Sequence, residues 1–200
     1  MLVDVDGTLA PIVERAEDAR VPDETREEIA RLAGRYALVA CVSGRPGAEV
    51  ERMLSVQGVA IVGEHGLELA PEAARWAETV AAFGRGVDWP AERKPLSLSF
   101  HFRRADDEAA ARAYLERVAE AAEREGLVPR WGRKVLEVRP PVAADAGDDT
   151  TDIDAFHGLD GLEHAVRVAV DSGEAPAELI AAADLVVDGT DGVLALLRSL

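Results

Sequence analysis

A single cysteine, Cys41, among 200 residues rules out an internal disulfide. It lies in the apolar run Ala37 to Val42 with no histidine near it in sequence, so it reads as a buried core thiol rather than a nucleophile. Apolar runs reach only about seven residues, far short of the ~20 that span a bilayer. No signal peptide precedes the first motif, and the expected setting is reducing and cytoplasmic. Positive charge is scarce: 22 basic residues face 38 acidic ones, a net charge of −16. Such a surface repels nucleic acid and anionic membranes, so neither is an expected partner. A small phosphorylated substrate would be repelled as well unless its site carried cations, so a metal is expected. There is no internal repeat, low-complexity segment or acidic tail. What the chain does have is 48% hydrophobic residues, enough for a real core in one domain or two small ones.

The chemistry is densest at the start. Met1-Leu2-Val3 reads as the end of a buried strand, and Asp4-Val5-Asp6-Gly7-Thr8 follows at once. Two carboxylates one residue apart at a strand's carboxyl end sit where open α/β sheets bind ligands. Gly7 permits a sharp turn there and Thr8 can hydrogen-bond it. An Asp carboxylate can accept a phosphoryl group, while its neighbour shuttles a proton and helps hold a divalent cation. The plain alternative is a solvated Asp-Gly turn.

Further along, Pro11 to Val21 reads as loop, and Asp23 is placed to cap a helix carrying Ile29, Leu32 and Ala33 on one face. Tyr36 to Val42 is a continuous apolar run, expected of a buried parallel strand. Ser43-Gly44-Arg45 ends it and Pro46 can open the next helix. A hydroxyl and main-chain N–H groups at that junction make an anion cradle. Val59 to Val62 predicts a third strand, ended by Gly63-Glu64-His65-Gly66, a tight loop presenting polar side chains. The alternation so far is doubly wound α/β.

The pattern then changes. A helix is expected over residues 72–83, an irregular stretch over Gly84 to Arg93, and a half-exposed antiparallel strand over Leu96 to Phe102, whose apolar residues alternate strictly. Asp106 is placed to cap an amphipathic helix with Ala111, Tyr114, Leu115, Val118 and Ala122 inward, Glu108–Arg112 and Glu120–Arg124 as i,i+4 pairs, and Gly126 as its stop. Val128 to Trp131 and Lys134 to Val138 are strand candidates. Gly147-Asp148-Asp149-Thr150-Thr151-Asp152 then places three acids where a hard divalent cation would suit them, or where a helix N-terminus would. Ala165 to Val170 and Leu185 to Val187 predict short strands, and residues 191–199 a final helix.

Together, Asp4-Val-Asp-Gly-Thr8, Ser43-Gly-Arg45 and Gly147-Asp-Asp-Thr-Thr-Asp152 resemble the haloacid-dehalogenase superfamily of phosphatases. Gly63-Glu-His-Gly-Leu-Glu68, Lys94-Pro-Leu-Ser-Leu-Ser-Phe-His-Phe-Arg103 and Gly132-Arg-Lys-Val-Leu-Glu-Val-Arg-Pro140 resemble the trehalose-6-phosphate phosphatases within it. The resemblance implies a Rossmann-like core with a parallel sheet over residues 1–68 and 141–200, and an inserted α+β cap domain over 69–140. It implies a Mg²⁺-dependent hydrolase of trehalose biosynthesis, acting on a small-molecule sugar phosphate, with a monomer favoured. Asp4 would be the nucleophile and Asp6 the proton donor and acceptor. Ser43, Gly44 and Arg45 would bind phosphate, and Asp4, Asp6, Asp148 and Asp149 would hold the metal. His65, Lys134, Glu137 and Arg139 would contact the sugar. In a regular strand Glu137 and Arg139 share a face and Lys134 does not, unless the strand begins after it. Two alternatives stand beside this: a capped phosphatase for another sugar phosphate, and a catalytically impaired relative that binds a sugar phosphate or a partner enzyme.

One departure from the family stands out. Its members carry a lysine, in a Lys-Gly pair, between the cap and the acidic motif, whereas the lysines here are Lys94 and Lys134 alone. The stretch 140–146 extends at most about 25 Å, too little to descend the sheet and return as a parallel strand, which takes roughly a dozen residues. Either residues are missing at or near Asp145–Ala146, with a discontinuity expected there, or the deletion is real and the phosphatase is crippled or rearranged. Loss of the lysine's charge would cost roughly 10²–10³ in rate, by analogy with a lost transition-state donor.

Overall fold

A computed structural model describes the chain outside residues 14, 133, 143–155, 157–164 and 172–174. It divides into two compact units, the first made of Met1–Gly66 and Asp145–Leu200, the second of Leu67–Ala144.

In the first unit, strand β1 (Leu2–Asp4) is followed by helix α1 (Asp23–Ala33), β2 (Ala40–Val42), α2 (Gly47–Leu54) and β3 (Ala60–Val62). The three strands form a parallel sheet in the order β1-β2-β3, with Asp4, Val42 and Val62 in register at one end. Ile29 and Leu32 of α1, Val50 and Leu54 of α2, and Val39 and Cys41 on the sheet share one core with Val5 and Leu9. Each large side chain fully buried there contributes roughly 1.5–3 kcal/mol.

Two expectations shift. Asp23 does not cap α1: Pro22 holds the cap position with extended backbone, and Asp23 is the first helical residue, paired with Arg26. Its charge still faces the positive helix end. Strand β2 is shorter than its apolar run, because the Arg35 and Tyr36 N–H groups both bond back to the Leu32 carbonyl and close the helix. That leaves Tyr36 and Leu38 exposed. A short 3-10 turn, Ala16–Asp18, interrupts the loop expected over residues 11–21.

The second unit holds α3 (Ala77–Gly86), β4 (Glu92–Arg93), β5 (Leu98–His101), α4 (Glu108–Arg124), β6 (Val128–Gly132) and β7 (Val135–Arg139). Its sheet is antiparallel throughout, in the order β4-β5-β7-β6. Leu98, Phe100, Leu136 and Val138 pack with Ala111, Leu115, Val118 and Ala122 of α4 and Val80 of α3 into a separate core. The antiparallel strand is as predicted, but it is not half exposed, since Ser97 and Ser99 are also buried. The α4 cap is Asp107, one residue later than expected, accepting from the Ala110 N–H at 2.9 Å. Its charged residues choose other partners than the expected i,i+4 pairs: Glu108 binds Lys134, Arg112 binds Glu116, and Arg124 donates to the Glu120 main chain. The region expected to be irregular contains the last turn of α3 and all of β4.

The chain then supplies β8 (Val168–Asp171), α5 (Ala177–Ala182), β9 (Leu185–Asp188) and α6 (Gly189–Ser199), with β8 and β9 parallel. Helix α5 carries no clear periodic signal, being six residues long. Helix α6 adds Val193 and Leu197 to the first core, and its Leu197 carbonyl accepts from Arg31 of α1 at 2.7 Å.

Candidate active site

Because β1, β2 and β3 run parallel and end in register, the loops that leave them emerge at one edge. Those loops are Val5–Thr8, Ser43–Arg45 and Gly63–Gly66. The topology therefore brings together Asp4, Asp6, Ser43, Gly44, Arg45 and His65, at the carboxyl edge where such sheets bind ligands.

The first loop closes tightly. Gly7 adopts φ +85°, and the Val5 carbonyl accepts from the Leu9 and Ala10 N–H groups at 2.9 and 2.8 Å. The Gly7 N–H donates to the Ala10 carbonyl at 2.7 Å. Asp6 is turned towards Arg45, whose Nε and Nη2 donate to its two carboxylate oxygens at 2.7 and 2.9 Å. The same guanidinium donates through Nη1 to the Ala16 carbonyl at 3.0 Å and pairs with Glu49, one turn along α2. Burial alone would lower the Arg45 pKa, but the hydrogen bonds and charge of Asp6, then of Glu49, outweigh it and hold the pKa above its ordinary value. The Arg45 side chain is thus committed to carboxylates, a different use from the phosphate contact its motif suggests.

The second loop is buried and tied down. Ser43 is 1% exposed, its N–H donates to the Val62 carbonyl at 2.9 Å, and its Oγ accepts from the Arg45 N–H at 3.1 Å. Beneath it, Cys41 is fully buried, and its thiol is pushed up to about 12, by burial first and the Asp4 charge second. It is protonated at neutral pH, which fits a core thiol.

The third loop is the unusual one. Glu64, His65 and Gly66 adopt φ values of +46°, +54° and +87° in succession. For a residue with a Cβ this region costs roughly 1–2 kcal/mol, and it persists only where the surroundings over-determine it. Glu64 is fully buried and His65 is 6% exposed. The loop bonds to the Ser43–Arg45 turn twice: His65 N–H to the Ser43 carbonyl, and Glu64 N–H to the Arg45 carbonyl, both at 2.9 Å. Glu49 and Glu64 were not among the residues singled out from sequence. The i,i+4 spacing of Arg45 and Glu49 at a helix start was an available signal for the first.

The remaining candidates lie in the second unit. Glu137 and Arg139 share a face of β7, with Leu136 and Val138 on the core side. Glu137 lies between Lys94, at 3.4 Å, and Arg139, at 3.7 Å. Strand β7 begins after Lys134, which sits in the preceding turn at φ +54° and pairs at the surface with Glu108. Lys94, not among the sequence candidates, is the lysine that meets Glu137.

Asp148, Asp149 and Asp152 lie outside the described residues, as does the expected discontinuity at Asp145–Ala146. Among the described residues no group of three or more His, Cys, Asp or Glu side chains is arranged to hold a metal ion. The part of the expected ligand set that is described, the Asp4 carboxylate and the Asp6 main-chain carbonyl, consists of hard oxygen donors, which suits Mg²⁺. No described helix is long and apolar enough to cross a membrane.

Known proteins share both pattern and fold. The sequence model of the trehalose-phosphatase family matches residues 2–90. A trehalose-phosphate phosphatase of Mycobacterium tuberculosis is 31% identical over 222 residues, covering 89% of this chain and 56% of that protein. An uncharacterized glycosyl hydrolase of the same organism is 33% identical over 169 residues, 74% of this chain but 12% of that protein. The chain therefore spans only part of these curated relatives. An alignment of 222 residues is also longer than this 200-residue chain, so the relative carries residues with no counterpart here. Among solved structures, a trehalose-6-phosphate phosphatase related protein superposes with TM-score 0.79 at 22% identity, covering 99% of this chain and 95% of that one. A haloacid dehalogenase-like hydrolase from Bacteroides thetaiotaomicron superposes with TM-score 0.57 at 14% identity, with 99% and 97% covered. At these identities the likeness is one of fold, and the fold is that of the haloacid-dehalogenase-like phosphatases.

Proposed function

We propose that this chain, a relative of the trehalose-phosphatases built on the haloacid-dehalogenase fold, is a phosphatase whose substrate is trehalose 6-phosphate. The observation that carries the reading is the meeting of Asp4, Asp6 and the Ser43–Arg45 turn at one sheet edge, within the span that matches the family.

In this reading an Asp4 oxygen attacks phosphorus and the bond from phosphorus to the sugar oxygen breaks, leaving an aspartyl phosphate. Asp6 gives its proton to the departing alkoxide, then takes one from the water that attacks the intermediate, releasing orthophosphate and regenerating Asp4. Arg45 donates to both Asp6 oxygens, each of which keeps a second lone pair on which a proton can be carried. Arg45 is then an orienting residue, while the Ser43 hydroxyl at the head of the turn receives a phosphoryl oxygen. Mg²⁺ would be held by the Asp4 carboxylate, the Asp6 carbonyl and an acid of the 148–149 pair, and when bound it neutralises charge on the phosphoryl group. In this reading Glu137, Arg139 and Lys94 of the second unit read sugar hydroxyls. Residues 67–144 act as the cap in this reading, and the protein works in the cytoplasm.

The test is phosphate release from trehalose 6-phosphate with Mg²⁺, set beside Asp4→Asn. Removing a nucleophile is expected to lower kcat on the order of 10⁴-fold or more with the fold intact. Equal turnover of several hexose phosphates would replace trehalose 6-phosphate with a broader sugar-phosphate specificity. Binding of trehalose 6-phosphate without turnover would favour the impaired relative, a reading supported by the missing lysine and by the residues the alignment leaves without counterpart.

A further inference from the structure

Gly44 is the one residue of the Ser43–Arg45 turn without a side chain, and the space beside it is filled. A Cβ placed there would stand 2.5 Å from His65 Nε2 and 2.6 Å from Cε1, closer than real Cβ contacts come. The imidazole edge therefore occupies the position of the absent side chain. On either side of this contact the two loops are joined through the main chain: Ser43 to His65, and Arg45 to Glu64, both at 2.9 Å. The three consecutive left-handed residues, Glu64 to Gly66, are what brings the ring to that place. A residue that served only to touch a sugar hydroxyl would not need this left-handed conformation, which persists only where its surroundings over-determine it.

We propose that His65 is a positioning residue for the phosphate turn, its ring packed into the gap at Gly44 so that Ser43 and the turn's N–H groups keep one arrangement. The proposal rests on the reading that this turn receives a phosphoryl group. It differs from the sugar contact implied by family resemblance, because here the ring acts through the turn and not on the sugar.

The experiment compares the wild-type chain with His65→Ala, His65→Phe, Gly44→Ala and the Gly44→Ala/His65→Ala double variant. Turnover is measured with Mg²⁺ on trehalose 6-phosphate and on p-nitrophenyl phosphate, which has no sugar. Amide hydrogen exchange at residues 43–45 and the melting temperature are followed alongside. His65→Ala is expected to lower kcat/KM for both substrates by similar factors, on the order of 10²-fold, with faster exchange at the turn. His65→Phe keeps the ring volume and is expected to recover most of the aryl phosphatase activity. Gly44→Ala is expected to lower the melting temperature, and the double variant to melt above it, because removing the ring removes the clash. Loss of trehalose 6-phosphate turnover alone in His65→Ala, with aryl phosphate turnover and exchange unchanged, would overturn the proposal in favour of a sugar contact. Phe performing no better than Ala, or a double variant melting no higher than Gly44→Ala, would also overturn it. If the wild-type chain hydrolyses neither substrate, it is the phosphatase reading that fails. Exchange and melting then still decide whether His65 shapes the turn.

Discussion

Each unit contains a partly or wholly buried trio of charges, and the central groups of the two trios have opposite sign. In the first, one cation serves two acids: Arg45 binds Asp6 and Glu49. In the second, one acid serves two cations: Glu137 lies between Lys94 and Arg139. The settings differ as well. The Arg45 trio joins a strand-end loop to a helix start, and its acids keep about a third of their side-chain surface in water, 35% for Asp6 and 30% for Glu49. The Glu137 trio lies on the polar face of an antiparallel sheet, with side-chain exposures of 13%, 9% and 7%. Two regions of one chain thus handle buried charge alike, by setting one central group between two of the opposite sign.

Removing the central residue of each trio gives the largest expected effect on stability, and tests whether exposure sets the cost. Glu137→Gln leaves two cations close together with little water, and is expected to destabilise the second unit by roughly 3–5 kcal/mol. Arg45→Met leaves two acids that still reach solvent, so about 2–3 kcal/mol is expected in the first unit. Urea unfolding gives the totals and hydrogen exchange assigns each loss to its unit. A smaller loss for Glu137→Gln than for Arg45→Met would break the comparison.

The same contrast explains what was legible in the sequence. The carboxylates of Asp4 and Asp6 and the Ser43-Gly44-Arg45 turn were readable because a buried apolar run followed by polar residues marks a strand end, and parallel strands put those ends together. The alternation from Leu96 to Phe102 likewise exposed the antiparallel strand. Partner choice was not readable. Arg45 takes Asp6, Ala16 and Glu49, which lie 39, 29 and 4 residues away, and only the folded chain ranks them. The conformation of Glu64 and His65 was hidden for a similar reason, since left-handed backbone at a glutamate and a histidine is imposed by neighbours and not by the residues themselves. The burial of Ser97 and Ser99 was invisible because alternation shows which residues face the core, and says nothing of how closed the other face is.

An effect confined to alkaline pH separates the units by titration. Burial first, then the Asp4 charge, pushes the Cys41 thiol from 9.0 up to about 12, while the unfolded chain titrates near the ordinary value. Between those pH values the folded state keeps a proton the unfolded state has lost. Stability from this group is full below pH 9 and falls as pH rises towards 12, by up to about 1.4 kcal/mol per pH unit. Cys41→Ala should remove that component of the slope, read as the difference between the two proteins in urea unfolding from pH 8 upwards. The second unit contains no cysteine, so the difference should fall on exchange in the first unit alone. An identical slope in both proteins would show that the thiol reaches water before the unit unfolds.

The smallest effect concerns the two lysines, both in the second unit and both paired with a glutamate. Lys94 meets Glu137 with 9% of its side chain exposed, whereas Lys134 meets Glu108 at 2.5 Å with 41% exposed. In water the second pair gains little Coulomb energy and immobilises two long side chains, so Lys134→Ala is expected to change stability by less than about 1 kcal/mol and to lose even that in high salt. Lys134 also precedes β7 and stands in the turn, off the face that Glu137 and Arg139 share. Its removal should therefore leave KM for trehalose 6-phosphate where it was, while Lys94→Ala raises it. A KM that rises for Lys134→Ala instead would mean that the turn lysine reaches the sugar, exchanging Glu108 for a hydroxyl.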